Sequence, residues 1–128
     1  MAKLLTEVVP SAPSSFTPGP IDLEHVSRQA LGDTGLAEEI LLLYTQMSRL
    51  YLERIETSTS IAELLPHLHT LKAAAAGIGA WAVRDLARSI EDGLLTGAPV
   101  NPELIADLAM TVQECNAFIE AIQPSAAH

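Results

Sequence analysis

Ser60-Ile-Ala-Glu-Leu-Leu-Pro-His-Leu-His-Thr-Leu-Lys-Ala-Ala-Ala-Ala-Gly-Ile-Gly79 is the stretch on which the reading of the fold turns. Ser60 followed three residues on by Glu63 is the capping-box pattern that opens a helix, and Gly77 and Gly79 lie near its end. Between them Leu64, Leu68, Leu71, Ala75 and Ile78 recur at alternating steps of four and three, the buried stripe of an amphipathic helix. Pro66 interrupts the pattern by removing one helical hydrogen bond, so a kink or a restart is expected there.

The helical pattern continues on both sides. Trp81 to Leu95 carries Val83, Leu86, Ala87, Ile90 and Leu94 on one face and closes at Thr96-Gly-Ala-Pro99. Asn101 as N-cap and Pro102 at the first helical position open a last helix, with Leu104, Ile105, Leu108, Val112, Cys115, Ile119 and Ile122 as its inner face. Upstream, Asp22 to about Leu31 forms a short helix stopped by the turn signal Gly32-Asp33-Thr34-Gly35. From Leu36 to about Glu56, the residues Leu36, Ile40, Leu43, Met47 and Leu50 repeat at steps of four and three, which predicts that they form the buried stripe of a long helix. No segment alternates as a half-buried strand does. The expected fold is all-α: an antiparallel, up-down four-helix bundle with a short additional N-terminal helix, spanning residues 21–123. Residues 1–20, with Pro10, Pro13, Pro18 and Pro20, read as a flexible arm, and residues 124–128 as a tail.

Composition narrows the function. The 128 residues include 16 acidic side chains against 7 Lys and Arg, a net charge of -9 that argues against binding nucleic acid or an anionic membrane. The single cysteine, Cys115, forms no internal disulfide, and no apolar run reaches the length of a membrane span. Together these predict a small, monomeric, cytoplasmic domain.

Two histidines on the central helix differ in where they point. At about 100° of rotation per residue, His69 lies about 140° from the centre of the Leu64–Ile78 stripe and faces solvent, whereas His67 falls at the core's edge. Lys72, Ala73 and Ala76 share the face of His69, so an exposed imidazole is followed by one cation and a surface of methyl groups. Imidazole is a good nucleophile near neutral pH, and phosphoryl transfer asks chiefly for positioning and charge compensation. Residues 66–90 hold Lys72, Arg84 and Arg88 against Asp85 alone, a balance of +2, while the remainder of the chain balances at -11. The non-acidic region therefore surrounds His69. A metal site is disfavoured, because a His-x-His pair on a helix points its rings apart. There is no P-loop, dinucleotide-binding Gly motif or His-Glu-x-x-His.

His69-Thr-Leu-Lys-Ala-Ala-Ala-Ala-Gly-Ile-Gly79-Ala80 resembles the signature of histidine-containing phosphotransfer (HPt) domains: His, any residue, Leu, Lys, Gly, small residues, then Gly-Ala. The resemblance covers most of residues 21–121. It implies that His69 is the phosphoacceptor, Lys72 the accompanying cation and Gly79 the break after the active helix. It also implies a phosphocarrier rather than an enzyme with its own ATP site. The partners so implied are response-regulator receiver domains and a hybrid sensor histidine kinase, and the chain needs no cofactor because magnesium is held by the receivers. Ala73 stands where the family usually has Gly. Leu65, Ala73, Ala76, Gly79, Arg84 and Arg88 are the expected docking residues. The alternative is a binding module of the same fold that has lost phosphotransfer and only sequesters a receiver or scaffolds a kinase.

Overall fold

Four polar side chains set where helices begin. Asp22 accepts from the backbone N–H of His25, Asp33 from Leu36, Ser60 from Glu63 and Asn101 from Glu103. Each satisfies a donor that the first helical turn leaves without a partner. They open α1 (Leu23–Gln29), α2 (Thr34–Thr57), α3 (Ile61–Ile78) and α5 (Pro102–Ile122), and α4 (Trp81–Leu95) follows α3 directly. The structure is a computed structural model that describes residues 19–123. Most of the expected arm and the whole tail therefore lie outside the described residues, which contain no strand.

The four long helices close a ring in which α2 packs on α3, α3 on α4, α4 on α5 and α5 on α2, while α1 lies across α2 and α3. Short connections make successive helices antiparallel, as expected. Leu68, Leu71, Leu108 and Ile119 are fully buried at the centre, where each side chain contributes about 1.5–3 kcal/mol by leaving water. Pro66 lies inside α3, and the helix continues through it instead of restarting. The capping box also closes differently from the standard pattern, because Glu63 reaches back to the N–H and hydroxyl of Thr59 rather than to Ser60.

The expected stripe of α2 is corrected by the packing. Its buried face consists of Leu41, Tyr44, Thr45, Ser48, Leu52 and Ile55, whereas Leu36, Leu43 and Leu50 are exposed and Ile40 and Met47 half-buried. The physical reason is that two polar residues sit comfortably inside. Thr45 donates to the Leu42 carbonyl, and Ser48 is bonded to Asn116 of α5, so both enter the core with their hydroxyls satisfied. Helix α2 also begins at Thr34, two residues earlier than the apolar pattern suggested, because Asp33 caps it.

The turn between α3 and α4 orients the site. Gly79 adopts the left-handed conformation (φ 75°) and ends α3 in a Schellman arrangement, with Ala80 N–H bonded to the Ala75 carbonyl and Gly79 N–H to that of Ala76. The Gly79 carbonyl accepts from Asp22 N–H at 3.0 Å, and the Asp22 carboxylate accepts from Trp81 Nε1 at 3.2 Å. A Cβ on Gly79 would stand 2.7 Å from Asp22 Cβ. Gly79→Ala is therefore expected to destabilise the protein by more than about 1 kcal/mol. Gly77→Ala meets nothing within 4 Å and is expected to be neutral or to stabilise by up to about 1 kcal/mol. Thermal unfolding of the two variants checks both.

Candidate functional site

The inner stripe of α3 leaves His69 on the outer surface, with its side chain 65% exposed. The ring leans toward α4, where Nδ1 lies 3.2 Å from Glu91 Oε2. The other carboxylate oxygen of Glu91 accepts from Lys72 Nζ at 2.6 Å. One carboxylate thus bridges the histidine and the lysine one turn further along α3. Glu91 is buried, and the Lys72 ammonium holds its carboxyl below the usual carboxylate range; burial opposes this shift and the His69 contact adds to it. An ionised carboxylate can only accept, so Nδ1 carries the hydrogen and Nε2 bears the free lone pair. The nitrogen that the carboxylate does not hold is the one free to bond another group.

Glu91 is the functional side chain that sequence reasoning missed, because it lies one residue beyond the window whose charge balance is +2. A signal was available: Glu91 follows Ile90 on the inner edge of α4, where a helix facing a core ordinarily carries an apolar residue. Its presence changes the reading of Lys72, whose ammonium is engaged by Glu91 instead of standing free for an incoming anion.

The remaining expected residues separate. Ala73 is exposed and Ala76 and Leu65 are half-buried on the same side of α3 as His69. Because α3 and α4 are antiparallel and His69 meets Glu91, Ala73 and Ala76 fall at the level of Arg88 and Arg84, and Leu65 at the level of Leu95. Arg84 stacks over Trp81, 4.7 Å from the ring centroid, and pairs with Asp85. Arg88 is exposed, 3.8 Å from Asp92. Leu95, which the sequence did not single out, is 65% exposed. Gly79 is buried beneath Asp22 and leaves the set of docking residues, since its backbone is committed to the turn. His67 rests against Tyr51 of α2 with ring centroids 5.8 Å apart, on the opposite flank of α3 from Glu91. The two histidines therefore do not converge, and among the described residues no three His, Cys, Asp or Glu side chains could share a metal. Cys115 is buried with its thiol toward the Pro20 carbonyl, and burial pushes that thiol up to about 11, which suits a core residue.

Comparison with known proteins bears on this arrangement directly. A family model of the Hpt domain matches residues 39–123. The chain belongs to the Hpt domain family. Hpt domains act in histidine phosphotransfer in two-component signalling, as phosphocarrier modules that meet receiver domains. Among curated proteins, none matches the chain. Within the Hpt domain, α2 to α5 supply the bundle and α3 carries His69 on its outer surface. No helix of the described residues is long and apolar enough to cross a membrane.

The charge state of Glu91 gives this site a pH signature. Its folded pKa lies below its unfolded value, so the stabilisation it contributes is present above the ordinary carboxylate range and is lost as pH falls through the depressed value. Wild type is expected to unfold at a higher temperature than Glu91→Gln at neutral pH. That advantage should start to shrink as pH falls below the ordinary carboxylate range and disappear only below the depressed value, as measured by circular dichroism melts across the acidic interval.

Proposed function

We propose that this chain relays a phosphoryl group between receiver-domain aspartates by way of phosphohistidine at Nε2 of His69. The observation that carries the reading is the Glu91 bridge: it holds Nδ1–H of an exposed imidazole and leaves Nε2 turned outward. The Nε2 lone pair attacks the phosphorus of a donor aspartyl phosphate. The new N–P bond forms as the bond from phosphorus to the carboxylate oxygen breaks, and the aspartate departs as a carboxylate. Nδ1 keeps its proton throughout, so the phosphorylated ring carries positive charge, which faces the Glu91 carboxylate. Attack by the aspartate of a second receiver on the same phosphorus reverses the sequence and restores the neutral imidazole.

Lys72 acts through Glu91: its ammonium keeps the carboxylate ionised and fixed beside the reacting ring. Docking of a receiver falls on the outer face of α3 and the adjoining edge of α4. Leu65, Ala73 and Ala76 offer low apolar relief there, while Arg88 one turn along α4 and Arg84 two turns along it add basic side chains to the same face. Magnesium belongs to the receiver in this scheme.

Transfer of labelled phosphate from a panel of phosphorylated receivers tests this. Acid-labile label is expected on wild type and on His67→Gln and absent from His69→Gln. A hydrogen bond to a charged group is worth about 1.5–3 kcal/mol. Glu91→Gln, which keeps a polar partner but removes its charge, is accordingly expected to slow labelling by about tenfold without loss of receiver binding. A wild-type chain that binds a receiver but accepts no label from any of the panel refutes the relay and leaves the binding module.

A further inference from the structure

The apolar residues that the core of α2 does not use remain aligned on its surface. Leu36, Leu43 and Leu50 are 41%, 57% and 43% exposed at intervals of seven residues, with half-buried Ile40 and Met47 between them. Steps of four and three over two heptads are the seam pattern by which one helix packs along another. The seam lies about 130° around α2 from its buried face, and among the described residues its three leucines stay exposed while Ile40 reaches back to the core.

Its borders are chemically unequal. On one side stand the exposed carboxylates of Glu39 and Glu53, and among the described residues neither has an ion-pair partner. On the other side is Tyr51, which meets His67 of α3. Arg49 pairs with Glu120 of α5, and Arg54, which ends the seam four residues beyond Leu50, directs its guanidinium over the Tyr51 ring on the border opposite the glutamates. We infer that α2 is a second docking surface, one that receives an amphipathic helix whose apolar seam is bordered by Lys or Arg. Charge selects this occupant over another copy of the chain. Two copies paired antiparallel bring Glu39 of one against Glu53 of the other, and each copy carries a net charge of -9. The surface is separate from the phosphotransfer site, since His69 leans away from α2 to meet Glu91 on α4.

The test uses the full chain and a synthetic helix about three heptads long, with Ile and Leu at the seam positions and Lys on both borders; the lysines also keep the peptide from pairing with itself. Saturable binding is expected by fluorescence anisotropy, weakening as salt is raised. The same peptide with Glu borders should bind at least tenfold more weakly. Leu43→Glu combined with Leu50→Glu changes two exposed positions and should keep the helical signal and melting temperature while losing at least tenfold in affinity. Glu39→Lys combined with Glu53→Lys should reverse the preference between the two peptides. His69→Gln should bind as wild type does, so failure of the relay leaves this result untouched. Absence of binding, equal binding of both peptides, or undiminished binding by the leucine variant overturns the proposal. So does sedimentation equilibrium showing a dimer that Leu43→Glu dissociates, which would make a second copy the occupant.

Discussion

The Glu91 carboxylate is shared between a lysine and a histidine, and much of the chemistry follows from where it sits. Burial between α3 and α4 works against the ionised form, and the Lys72 ammonium at 2.6 Å outweighs it. Once ionised and fixed by the lysine, the carboxylate can bond only the protonated nitrogen of His69, which decides the tautomer and leaves the other nitrogen unbonded. An exposed, rotatable side chain is thereby oriented. The bridge joins α3 to α4, so local stability and the orientation of His69 share one interaction.

That bridge requires α3 and α4 to meet in one register, and the turn between them supplies it. Gly79 in the left-handed conformation stops α3 within a single residue, and Ala80 passes at once into α4. Asp22 locks the turn from outside: it caps α1, donates its N–H to Gly79 and accepts from Trp81. The short first helix is therefore a clamp over the hinge of the active hairpin. The His25 ring, set edgewise 5.0 Å from Trp81, extends the same contact.

Helix α2 shows where sequence periodicity misleads. It has two faces that each satisfy a helical repeat, and the more apolar one, through Leu36, Leu43 and Leu50, is the one left outside. Hydrophobic periodicity identifies a stripe that seeks a partner but does not say whether that partner belongs to the same chain. Ser48 was inconspicuous as a core residue because its long-range partner, Asn116 of α5, is supplied only by folding, and Thr45 because its hydroxyl is satisfied by the Leu42 carbonyl of its own helix. The surface of α3 was legible for the converse reason. His69, Ala73 and the inner leucines lie on one helix, and helix geometry alone separates the inside from the outside.

Local chemistry in the chain was sufficient to place the caps at Ser60 and Asn101, the helices of the bundle, the inner faces of α3 and α5 and the outward histidine, since each depends on residues within a turn or two of one another. Glu91 beside His69, the engagement of Lys72, the burial of Gly79 and the outer position of the α2 leucines depend on contacts between helices. Those contacts join residues 19 or more positions apart, and a distance of that kind is set by how helices pack, which no local repeat encodes.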